Sequence, residues 1–171
     1  MVASSKVGST PARPARALTA AEVHALAEAV PARYRALVLT LAFGGLRFGE
    51  ATALRRSDVS ADGTLMTIER SVRHLSGRWV VGPPKTEAGR RKVALPGFAA
   101  VAVATQLDRF MGANADALVF GTRTGHFLSG ANFGTTFRRA VERCGLPSVR
   151  VHELRHTGAT LAAATGRAQP S

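Results

Sequence analysis

The sequence predicts an α+β fold, mainly helical, in which a helical body carries a small inserted three-stranded antiparallel sheet. Three observations predict it. Apolar residues recur at helical spacing between Thr19 and Leu54. From Thr64 the period changes to two, and short extended runs separated by turn residues follow as far as Leu95. Helical spacing then returns between Phe98 and Gly166. A period near 3.6 marks a helix with one buried face, and a period of two marks a strand.

The elements follow in order. Thr19-Ala20-Ala21-Glu22 has the spacing of a capping box and opens a helix with Val23, Leu26, Ala27 and Val30 on one side. Pro31 suits the first position of a second helix, which buries Tyr34, Leu37, Val38 and Leu41 and is broken by Gly44-Gly45. A short helix spans Leu46 to Leu54. Thr64 to Ser71 alternates, Leu75-Ser76-Gly77-Arg78 is a turn, and Trp79-Val80-Val81 pairs back. Pro83-Pro84 interrupts pairing, Lys85 to Gly89 is a polar turn, and Arg90 to Leu95 is a third strand ended by Pro96. Helices then run from Phe98 to Met111 and from the Ser129 cap to Arg143, with Gly145 as stop. A short extended piece, Ala117 to Gly121, lies between them. The last helix begins near Val151, with Gly166 as its stop.

A length of 171 residues fits one domain over residues 18–171. Residues 1–17, rich in Ala, Ser, Pro, Gly and Arg, read as a disordered arm or linker. Lys and Arg total 23 against 11 Asp and Glu, a net charge of +12. The arm holds only Lys6, Arg13 and Arg16 of those cations, so the charge belongs to the body and points to a polyanionic partner. A ribosomal or structural basic protein is the plain alternative on composition. No apolar run long enough for a membrane and no signal-peptide core is visible. Cys144 is the only cysteine, which excludes an internal disulfide and a cysteine-based zinc site and fits a reducing cytoplasm.

The stretch from Val151 to Thr160 concentrates the chemistry. His152-Glu153-Leu154-Arg155-His156 matches the H-E-x-x-H zinc motif literally. A hydrolytic zinc needs a third protein ligand, yet no Asp, Glu, His or Cys follows His156, and Arg155 sets a permanent cation beside the metal. The other reading is an anion site. On a helix His152 lies beside Arg155 and His156, and the guanidinium offers a planar fork suited to phosphate. A solvated polar face is the unspecialised alternative. Phe43-Gly44-Gly45-Leu46-Arg47-Phe48-Gly49-Glu50 is the second informative stretch. Two glycines deliver the chain into a new helix with Arg47 in its first turn, where backbone N–H groups attract anions, and Glu50 is spaced to orient Arg47. A surface salt bridge at a helix break is the alternative there.

Gly45-Leu46-Arg47-Phe48-Gly49-Glu50, Pro84-Lys85-Thr86 before a basic strand, and His152-Glu153-Leu154-Arg155-His156-Thr157, in that order, resemble the tyrosine recombinase (phage integrase) family over roughly residues 18 to 165. The resemblance implies a helical catalytic domain with an inserted sheet. Arg47 and Arg155 then match the two catalytic arginines, Lys85 the hairpin lysine, and His152 the motif histidine. Glu50 matches the acidic support of Arg47, and His156 a structural neighbour.

The implied activity is site-specific recombination or integration of double-stranded DNA. A tyrosine hydroxyl cleaves one strand and leaves a 3′-phosphotyrosine, conserving the bond energy for rejoining. Arginines clamp the non-bridging oxygens, and the lysine protonates the leaving 5′-oxygen. No metal or other cofactor, membrane or small-molecule substrate is implied. The expected location is the cytoplasm, associated with the nucleoid, and intact recombinase protomers are further candidate partners. Arg90, Arg91 and Lys92 beside the hairpin, and Arg138 and Arg139 with Arg143 on one helix, are the expected DNA contacts, with a solvated basic face as their alternative.

The sequence departs from the family at its end. Tyr34 is the only tyrosine and reads as a core aromatic, so no nucleophile is expected in this chain. The expectation is a catalytic domain lacking its C-terminal tail. A non-catalytic DNA-binding remnant is the alternative, and a zinc hydrolase through His152 and His156 a remote one.

Overall fold

The computed structural model describes residues 17–166. Its elements run α1 (Ala20–Ala29), α2 (Ala32–Gly44), α3 (Phe48–Thr52), β1 (Leu65–Ile68), β2 (Ser71–Leu75), β3 (Arg78–Gly82), β4 (Arg91–Ala94), α4 (Gly97–Phe110), α5 (Gly130–Arg143) and α6 (Glu153–Gly166). The arm expected over residues 1–17 lies outside the described residues except for residue 17, as does everything beyond Gly166.

Helix α2 is the core. Residues 36–42 are all buried, and α1, α4 and α6 pack around it. A helix with no polar face is stable only when enclosed on all sides. Thr19 caps α1 as expected: its hydroxyl accepts from the Glu22 amide at 3.1 Å while the Glu22 carboxylate accepts from the Thr19 amide at 2.9 Å. Pro31 stands one place earlier than expected, as the residue before α2. Gly45 ends α2 with φ +65°, a left-handed conformation that glycine adopts without strain. The next helix is shorter than expected, Phe48–Thr52, with Arg47 just outside its start. Tyr34 is half-buried at the rim of the core, its ring edge-on to Phe133 at 5.4 Å.

The α+β class holds, but the inserted sheet differs from the three-stranded arrangement expected. It is two separate two-stranded antiparallel ribbons, β1 with β4 and β2 with β3. The alternating run from Thr64 to Ser71 is broken after Ile68, where Arg70 swings out to pair with Asp58 and the chain bends from one ribbon into the other. Leu65 pairs with Ala94 and Ile68 with Arg91 in the first ribbon; Ser71 pairs with Gly82 and Leu75 with Arg78 in the second. Before β1, Asp62 fastens a turn. Its carboxylate accepts from the Thr64 and Ser60 hydroxyls and the Thr64 amide, which lower its pKa to about 2.

Helix α6 buries Leu154, Thr157 and Gly158, spaced three and four apart, and leaves Arg155, His156 and Ala159 outside. The Thr157 hydroxyl accepts from the Leu18 amide at 3.0 Å, tying the first described residues to α6. Gly158 lies so close to α2 that a Cβ there would stand 2.1 Å from the Ala42 carbonyl oxygen. Replacing Gly158 with Ala is therefore expected to force the helices apart and to destabilise the fold by about 1–3 kcal/mol. Denaturant unfolding measures this, and a midpoint unchanged from the parent would contradict the packing.

Candidate functional site

The crossing at Gly158 has a chemical consequence. Arg155 stands one turn earlier on the same edge of α6, and its Nε donates to the Gly45 carbonyl at 3.0 Å. This fixes the guanidinium two residues from Arg47. His152, Arg155 and His156 line a cleft of about 490 Å³ with Phe43, Gly44, Gly45, Gly158 and Ala159. His152 lies in the turn just before α6 rather than inside the helix, because the helix starts at Glu153. The Glu153 carboxylate accepts from the Arg150 amide at 2.6 Å and so points away from the histidines.

A second cleft, also about 490 Å³, is lined by Arg47, Gly49, Ser71, Val72, Arg73, Gly82, Pro83, Pro84 and Lys85. Arg47 and Lys85, 38 positions apart in sequence, thus face one space. Between the two clefts runs the segment Gly45-Leu46-Arg47, with Gly45 in the wall of one and Arg47 in the wall of the other. The four residues singled out as catalytic therefore lie on two clefts that share this turn. His152, Arg155 and Lys85 are exposed, and Arg47 is half-buried.

Glu50 is placed differently from the expectation. Its carboxylate, 2% exposed, accepts from the Arg47 backbone amide at 2.9 Å, not from the Arg47 guanidinium. That amide at the start of α3 is thereby occupied and is not offered to an anion. The guanidinium that Glu50 holds belongs to Arg91, with Nη2 at 3.1 Å from one carboxylate oxygen and Nη1 at 3.3 Å from the other. Arg91 thus turns inward, away from the surface role expected of it. Burial of a charge is tolerated only with such a partner.

Of the other basic residues, Arg90 and Lys92 are exposed beside the second cleft's loop, and Arg138 and Arg139 are exposed on the outer face of α5. The α5 arginines line neither cleft. Arg143 is engaged locally, its Nη2 donating to the Ala29 carbonyl at the end of α1 at 2.7 Å. A zinc reading finds two histidines in one cleft. Among the described residues, though, no group of three His, Cys, Asp or Glu side chains gathers to hold a metal.

Sequence reasoning missed Ser71 and Arg73 in the wall of the Arg47 cleft. Their shared face was readable from the period of two along β2, had the ribbon been carried back to the cleft. It also missed Arg91 as the partner of Glu50, for which no local pattern exists.

The model of the phage integrase family matches residues 16–166. The chain is 35% identical over 158 residues to the integrase of Mycobacterium phage FRAT1, covering 90% of this chain and 47% of that one. It is also 35% identical over 158 residues to the integrase of Mycobacterium phage D29, covering 90% and 42% respectively. The chain thus spans less than half the length of these curated relatives. Among solved structures, the Tn1549 transposon integrase in complex with transposon right end DNA superposes with a TM-score of 0.77 at 21% identity, covering 91% of this chain and 56% of that one. That likeness concerns the fold alone. With its motifs, its architecture and most of its length accounted for, the chain belongs to the phage integrase family.

Proposed function

We propose that this chain is the catalytic domain of a site-specific DNA recombinase that binds double-stranded DNA and holds its scissile phosphate across the Gly45–Arg47 turn. The observation that supports the reading is the hydrogen bond from Arg155 to the Gly45 carbonyl, at the start of the turn that carries Arg47. On this reading Arg47 and Arg155 bind the non-bridging oxygens from two sides. Their planar forks of donors suit the charge that develops on those oxygens. Lys85, across the cleft from Arg47, protonates the departing 5′-oxygen. His152 hydrogen-bonds the phosphate or handles the nucleophile's proton, and His156 supports it. Arg90, Lys92, Arg138 and Arg139 contact the duplex backbone around the site. The work takes place on nucleoid DNA in the cytoplasm, alongside other recombinase protomers, and the strand exchange proceeds through a 3′-phosphotyrosine.

One observation favours a narrower role for this polypeptide by itself. Tyr34, its only tyrosine, packs against Phe133 and lines neither cleft. These 171 residues, tested by themselves, bind DNA without cutting it.

Two outcomes are expected. On a nicked suicide substrate the 171-residue chain gives no covalent protein–DNA band on a denaturing gel. A band that disappears in the Tyr34→Phe variant would overturn the binding-only role. Duplex binding should weaken steeply with salt: four to seven phosphate-neutralising side chains give a slope of log K against log salt of roughly −4 to −6. Arg47→Ala and Arg155→Ala should each flatten that slope by about one and weaken binding of every duplex to a similar extent. Fluorescence anisotropy across a salt series reads both, and a flat salt response would remove the DNA reading.

A further inference from the structure

We propose that Arg91 is a positioning residue that holds the Arg47 turn and the Lys85 loop in one register, acting through the Glu50 carboxylate and the Gly89 carbonyl. The proposal rests on the reading of the Arg47–Lys85 cleft as a phosphate site. Glu50 is nearly inaccessible to solvent and is shared between two segments. One of its oxygens accepts both the Arg47 amide, at 2.9 Å, and Arg91 Nη2, at 3.1 Å. Arg91 Nη1 reaches the other oxygen at 3.3 Å and also donates to the Gly89 carbonyl at 2.6 Å.

Gly89 closes the loop that begins at Pro84. A Cβ on Gly89 would stand 2.5 Å from the Pro84 Cβ and 3.6 Å from Glu50 Oε1, so the loop's two ends and the carboxylate meet with no space between them. Pro84 is buried and Lys85, the next residue, is exposed in the cleft. One guanidinium therefore links both walls of the cleft: the Arg47 side through Glu50, and the Lys85 side through Gly89. A lysine at position 91 keeps the charge, but a single ammonium cannot present a planar fork to two carboxylate oxygens and a carbonyl together.

Arg91→Lys and Arg91→Ala test this by amide hydrogen exchange on the full chain without DNA. Exchange at the Arg47 amide and across residues 86–90 should accelerate together, by about tenfold, while α2 and α5 keep their protection. Acceleration confined to residues 86–90, with Arg47 unchanged, overturns the proposal. Where Arg91→Ala does not fold, Arg91→Lys carries the test. A second arm measures duplex affinity in a double-mutant cycle. Lys85→Ala should flatten the salt slope by about one in the parent and by close to zero in the Arg91→Lys background. A loss of slope of about one in both backgrounds overturns the positioning role even if exchange is linked. If Lys85→Ala has no effect in the parent while the two segments still exchange together, the link between them stands and the phosphate reading of the cleft falls.

Discussion

The crossing of α6 over α2 is the constraint on which the site depends. At Gly158 the two backbones approach so closely that a single methyl group would overlap the Ala42 carbonyl oxygen. Protein interiors are close-packed, and a displacement at such a contact is passed on to the neighbours rather than absorbed. The edge of α6 that carries Gly158 also carries Arg155, so the fit at one position sets the reach of the other. The Gly45 carbonyl that receives Arg155 is itself exposed by the left-handed residue that ends α2. Helix packing, helix termination and the placement of an arginine are thus one arrangement seen at three points.

A second constraint concerns the few acidic residues. In four places a carboxylate accepts the backbone amide three residues before it: Glu22 for Thr19, Glu50 for Arg47, Asp58 for Arg55 and Glu153 for Arg150. Asp62 does the equivalent for a turn. Orphan amides at the start of a helix or turn must find acceptors, and a carboxylate is the strongest one available. Two of these acids serve twice: Glu50 also holds Arg91 and Asp58 also pairs with Arg70. With 23 cations and 11 acids, the excess of positive charge remains however the acids are placed.

The helical layout was legible in the sequence because caps and glycine stops act locally: Thr19 with Glu22, Gly45, and Ser129 with Gly145 mark ends that the structure keeps within a residue or two. The site was legible only as residue types. A glutamate three residues after an arginine at a helix start has two choices, the side chain or the amide, and spacing does not distinguish them. Here the choice is settled by Arg91, 41 positions away, whose guanidinium claims the rest of the carboxylate. The split of the sheet is hidden for a related reason. The alternation from Thr64 to Ser71 continues unbroken through the bend, and only the long-range pull of Asp58 on Arg70 shows that the strand has ended. Gly158 carries no local signal at all, since its need arises from a helix more than a hundred residues earlier.

The openness of the clefts bears on the kind of substrate that fits them. A small-molecule site encloses most of its ligand and is lined mainly by apolar groups. Here Lys85, His152, Arg155 and His156 are exposed, along clefts joined by one backbone turn. Exposed cations in water attract a phosphate only weakly, because solvent screens them. Under the DNA reading, a duplex laid across the turn covers these groups and supplies the low-dielectric environment that the protein alone lacks. The same four side chains then act far more strongly on the one phosphate beneath the duplex than on free phosphate in solution. On that reading their force becomes available only once the polymer is in place.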